Sequence, residues 1–131
     1  MHFTLTCVII VQVKESAMKI LVNSSLQCGD DKVVTSQKGI LKDNIIRYYD
    51  EKIKVEINLN DFNLKRTGND YELSLSFKEK RGYYYLKDIN QMIEFKVTTE
   101  KLEVNDNCLK VIYELDISDE IYNFEIDYEV I

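Results

Sequence analysis

The sequence predicts an all-β fold, a single antiparallel up-and-down β-barrel of about eight to ten strands. Three observations lead there. Apolar side chains recur with a period of two along most of the chain. Corner-forming residues interrupt these runs about every 8 to 15 positions, the cadence of consecutive hairpins. Proline is absent and no stretch of adequate length keeps a helical period, so nothing breaks a ladder and nothing competes with one.

The alternation is cleanest in Ile53, Val55, Ile57 and Leu59, set between Lys54, Glu56 and Asn58. Tyr71, Leu73, Leu75 and Phe77 make a second face, and Ile93, Phe95 and Val97 a third. Leu109, Val111, Tyr113, Leu115 and Ile117 follow, then Tyr122, Phe124, Ile126, Tyr128 and Val130. In each run the intervening residues are mostly polar, so each strand is expected to have one dry and one wet side. Turns are expected at Gly29-Asp30-Asp31, Asp43-Asn44, Asn60-Asp61, Gly68-Asn69-Asp70, Arg81-Gly82, Asn105-Asp106-Asn107 and Ser118-Asp119-Glu120, because these residues tolerate positive φ or bond their own backbone. The stretch Leu86 to Gln91 has room for one helical turn. So many strands in one open sheet would leave long edges, so the sheet must close or split. Consecutive hairpins favour closure into an up-and-down barrel. The interior of such a barrel is either filled by side chains or holds one small ligand.

Length and charge narrow the function classes. The chain has 131 residues, with 45% hydrophobic and 31% charged, which suits one soluble domain. Its formal charge is −6, and lysines are interspersed with acids rather than clustered, so nucleic acid is not an expected partner. No apolar run reaches the ~20 residues of a membrane-spanning helix. Cys7, Cys28 and Cys108 are odd in number and far apart, which fits reduced thiols in the cytoplasm and neither a disulfide framework nor a zinc site.

Residues 1–17 stand apart from the domain at 18–131. Phe3 to Val13 is strongly apolar but has no Lys or Arg before it, so it makes a poor signal peptide. Its β-branched content would suit an extra strand. A third reading starts translation at Met18, since Lys14-Glu15 has codons that resemble a bacterial ribosome-binding site. On that reading the domain lacks the chain's single histidine, His2.

Several segments carry a resemblance. Asn44-Ile-Ile-Arg-Tyr-Tyr-Asp-Glu51, Leu64-Lys-Arg-Thr-Gly68, Gly82-Tyr-Tyr-Tyr85 and Ile93-Glu-Phe-Lys-Val-Thr-Thr99 are similar in order and spacing to the YwiB-like small bacterial β-barrel proteins. Leu109 to Leu115 and Asn123 to Tyr128 extend the likeness over about 18–131. The resemblance implies a calycin-like (lipocalin-like) barrel of unassigned biochemical role, and so brings no catalytic residues with it. The sequence departs from the family pattern at Tyr84-Tyr85-Leu86, where a small residue or Thr, then an aromatic before a Gly, would be expected.

Catalytic signals are missing. Residues 18–131 contain no His, the two thiols there are isolated, and there is no glycine-rich phosphate loop or G-x-S-x-G elbow. Neither an enzyme nor a metal or other cofactor is expected. Arginine is scarce. Arg47 shares a strand face with Ile45 and Tyr49, and Arg66 continues the face of Phe62 and Leu64. A charge on an apolar face needs a partner. In one reading Arg47, Tyr49 and Arg66 converge inside the barrel on the carboxylate or phosphate of an apolar or amphipathic ligand. In the other, the arginines pair with carboxylates and a packed barrel acts through its surface as an interaction or structural module. The tyrosines at 48, 49 and 83–85 are partly consecutive, so some must face outward, where they pair across strands or meet a partner.

Overall fold

The computed structural model describes residues 17–131, so residues 1–16 of the N-terminal extension lie outside the described residues. Ten strands follow one another: β1 Met18–Cys28, β2 Asp31–Lys42, β3 Ile45–Asp50, β4 Ile53–Asn58, β5 Asn63–Thr67, β6 Tyr71–Ser76, β7 Arg81–Leu86, β8 Gln91–Asn105, β9 Cys108–Leu115 and β10 Ile121–Val130. Each pairs antiparallel with its neighbours in sequence, and β1 pairs with β10 to close the ring. The up-and-down barrel expected from the hairpin cadence is therefore present.

Local chemistry explains the corners. Asp43 and Asn44 both take positive φ, 54° and 63°, the two-residue turn whose twist matches that of its strands. It fixes Lys42 opposite Ile45 and Leu41 opposite Ile46. Two expectations need correction. Leu86 to Gln91 holds no helix: β7 ends at Leu86, four turn residues follow, and β8 begins at Gln91. Arg81-Gly82 is not a corner but the start of β7, the turn falling at 77–80 with Lys80 at φ 62°.

Alternation decides which side of each strand is dry. Val55 and Ile57, Leu73 and Leu75, Phe95 and Val97, Val111 and Tyr113, Phe124 and Ile126 all face inward, as their spacing predicted. Among the described residues no polar or charged side chain is fully buried. A ring widens as strands are added, so ten strands leave more interior space than eight. Bulky aromatics take it up: Tyr48, Phe77, Phe95, Tyr113 and Phe124 are all buried. Phe77 and Tyr113 meet with ring centroids 5.1 Å apart at 51°, and Tyr113 stacks on Tyr122 at 5.2 Å. The outer wall is laced with cross-strand ion pairs such as Lys65–Glu72 at 3.0 Å and Lys110–Glu125 at 3.9 Å. Dry inside and charged outside is the reverse of a lipid-facing barrel. No helix among the described residues is long and apolar enough to cross a membrane.

The ring is lopsided. β3 to β7 have five or six residues each, whereas β1, β2 and β8 have 11, 12 and 15. Long β8 serves two neighbours in succession, pairing Gln91 to Lys96 with β7 and Val97 to Asn105 with β9, with a register shift between Thr99 and Lys101. Long β2 matches β1 along its whole length but meets β3 only from Gly39 to Lys42.

Gly82 shows how closely the wall and its filling fit. A Cβ there would lie 2.5 Å from the Ser74 carbonyl oxygen and 2.8 Å from Phe95 Cε2. Gly82→Ala is expected to cost roughly 1–3 kcal/mol through overpacking, read as a lower urea midpoint with an unchanged slope.

Candidate functional site

The three residues singled out by sequence do not come together. On β3, Ile46 and Tyr48 are buried, so Ile45, Arg47 and Tyr49 take the opposite, outer face; Tyr49 is 61% exposed. Arg47 Nε donates to Glu56 Oε2 at 3.0 Å, across to the next strand, and Lys54 Nζ lies 3.8 Å from the other oxygen of the same carboxylate. Arg66 is on the other side of the wall. It follows buried Leu64 on the inner face of β5, between Val55 and Leu73 in register. Its Nη2 lies 3.9 Å from Asp50 Oδ2, with about a quarter to a third of each side chain still exposed. Arg47, Tyr49 and Arg66 therefore do not converge inside the barrel: Arg47 and Tyr49 share a face of β3, as their spacing predicts, but it is the wet one.

The residues that do stand near Arg66 escaped the sequence reading. Asp50 pairs with it, and the Arg66 charge is felt at the buried phenols of Tyr48 and Tyr113. Burial holds both phenols above their ordinary range, Tyr113 far above it, while the arginine pulls each back. The signal for Asp50 was its spacing of two from Tyr48 and four from Ile46, which puts all three on one face.

Two clefts mark the outer wall. One, of about 660 Å³, opens where β2 and β3 part, lined by Gln37, Lys38, Ile40, Arg47, Tyr49 and Lys54. Three cations meet there, and among the described residues Lys38 has no ion-pair partner. The other, of about 740 Å³, crosses the outside of β5 to β8 past Ser74, Ser76, Arg81, Tyr83, Glu94 and Lys96. Its neighbourhood is internally neutralised. Arg81 pairs with Glu79 at 3.2 Å, and Glu72 accepts from Lys65 at 3.0 Å and from the Tyr83 hydroxyl at 3.1 Å. The recess that enters the core from one barrel end, beside Ile46, Leu109 and Ile126, holds only about 60 Å³.

Among the described residues no three His, Cys, Asp or Glu side chains are grouped to hold a metal ion. Cys28 Sγ donates to Glu120 Oε2 at 3.0 Å, and that bond raises the thiol pKa; burial raises that of Cys108.

The architecture is similar to one solved structure, the ywiB protein from Bacillus subtilis. The two superpose with a TM-score of 0.57 at 17% identity, over 89% of this chain and 93% of that one. The likeness is one of fold, and agrees with the resemblance carried by the sequence motifs. No family model and no curated protein matches the chain.

The Lys65–Glu72 pair gives the wall a pH signature. Its hydrogen bond to Lys65 holds the Glu72 carboxyl below the ordinary range and raises the lysine. A depressed carboxyl stabilises the fold above its unfolded pKa, about 4.3, and the contribution is lost as pH falls through the folded value. Glu72→Gln is therefore expected to shallow the acid limb of a stability-versus-pH profile below about pH 4.3. The difference from wild type near neutrality should be no more than ~1 kcal/mol for so exposed a pair.

Proposed function

We propose that the chain is a cytoplasmic, non-catalytic barrel that acts through its outer wall, its interior serving only to hold the wall in shape. The observation that carries this reading is the filled core. A pocket for even a small ligand needs a few hundred Å³, and the recess that reaches the core offers about 60 Å³. Both arginines expected to hold a head group face carboxylates instead, Arg47 against Glu56 and Arg66 against Asp50. The ionisable groups with shifted thiol and phenol pKa values are moved away from reactivity, since each becomes harder to deprotonate. That supports a non-catalytic role.

Anion recognition by Arg47 and Tyr49 keeps a place in this reading, transferred to the outside. Beside Lys38 and Lys54 they line a basic cleft in a wall whose charge is otherwise mostly acidic. A carboxylate presented by another macromolecule suits it better than the head group of a molecule enclosed in the barrel.

Native mass spectrometry of the protein purified from its own host tests this. The expected spectrum shows the mass of the polypeptide with no small molecule attached. Arg66→Met, which keeps the stem and removes the charge, should cost on the order of 1–2 kcal/mol and change nothing else in the spectrum. A bound molecule that is present in wild type and lost in Arg66→Met would overturn the reading.

A further inference from the structure

The half of β2 that outruns β3 is an open edge. From Asp31 to Lys38 it is hydrogen-bonded in register to β1, and among the described residues no strand lies on its other side. Such an edge is a template for another strand, and proteins blunt it with proline, bulges, very short length or charged side chains. This edge has no proline and no bulge, and its charges, Asp31, Lys32 and Lys38, sit at its two ends. Between them lie two adjacent valines, Val33 at 60% and Val34 at 67% exposure.

We propose that the edge takes a second copy of the same chain, β2 against β2, antiparallel about a two-fold axis through Val34. The inference rests on the surface-acting reading above and names its partner. A two-fold axis normal to the sheet keeps inner faces together, so only residues of like parity oppose one another. With Val34 on its own counterpart, Val33 faces the partner's Thr35, Lys32 faces the partner's Ser36, and Lys38 faces the partner's Asp30. The next allowed register, centred on Thr35, would set Lys32 against Lys38 and is penalised by like charge. Among the neighbouring registers only the one centred on Val34 sets Lys38 against an acid, Asp30.

The cleft completes the fit. Antiparallel pairing in this register brings the partner's Gly29-Asp30 turn into the space where β2 and β3 part, a cleft of about 660 Å³ beside Lys38, Arg47 and Lys54. The turn is slim, for Gly29 sits at φ 60° with no atom within 4 Å of where a Cβ would be. It is also acidic, carrying Asp30 and then Asp31. Two copies of an acidic turn thus enter two basic clefts, and two exposed valines cover each other between them. Lys38 and the parting of β2 from β3 acquire a common purpose.

Sedimentation velocity of the full-length chain over a concentration series tests the proposal. Wild type is expected to dimerise, and Val34→Lys, which opposes two cations at the axis, should weaken the dimer roughly tenfold or more. Asp30→Lys and Lys38→Asp are exposed changes that should each weaken association, while the two together restore it. A chain that remains monomeric, or a dimer indifferent to Val34→Lys and to the charge exchange, overturns the proposal. Neither result touches the ligand-free barrel, which is read from bound mass rather than from association.

Discussion

Closure of the sheet through the β1–β10 ladder is the constraint on which everything else depends. Without it the sheet would have two further full-length edges and no inside. With it, every strand must commit one face to a shared interior, and the alternation of the sequence becomes a packing instruction. The ladder runs from Ile20 opposite Val130 to Cys28 opposite Tyr122. It is reinforced on the outside by Asn23, whose Nδ2 donates to Asp127 at 3.0 Å. Because the ring has ten strands, its bore must be filled by large side chains, and the buried tyrosines and phenylalanines do that. The recess that enters this core beside Ile46, Leu109 and Ile126 holds about 60 Å³.

The fold was legible because burial and period agreed. Ile53, Val55, Ile57 and Leu59 have lysine, glutamate and asparagine between them, so only one face can be dry. Asp43-Asn44 announced a two-residue turn and with it the β2–β3 register. The site was less legible, and β3 shows why. Ile45 and Ile46 are adjacent, as are Tyr48 and Tyr49, so both faces of the strand carry apolar and aromatic groups and the phase cannot be read locally. Arg47 was assigned with the apolar members of its face, but the face is decided by register with β2 and β4, where Leu41 and Ile57 flank Ile46. Corners at Glu51-Lys52 and at 77–80 were hidden for a related reason. Glu51 and Lys80 hold positive φ of 56° and 62° without the residue types that normally signal it. Gly82 announced a corner that does not exist, since its missing side chain makes way for Phe95 rather than for a turn.

The charges tell a consistent story across the wall. On several paired strands cations meet carboxylates, as Lys65 meets Glu72 and Arg47 meets Glu56. Where β2 and β3 separate, Lys38 lies beside the open ladder, one of several lysines without an ion-pair partner among the described residues. The turn at the other end of the same strand, Gly29-Asp30, carries the opposite charge.

The pairing of the first strand of the domain with the last has a consequence for how the protein is made. Its ends meet across 104 positions of sequence at Asn23 and Asp127. A nascent chain leaving the ribosome can build β2 to β9 hairpin by hairpin, but β1 must wait on one side for a partner that is synthesised last. Until β10 emerges the sheet is an open arc with its apolar face uncovered. Closure is necessarily a late, long-range event with a high entropic cost, and slow folding is characteristic of such topologies.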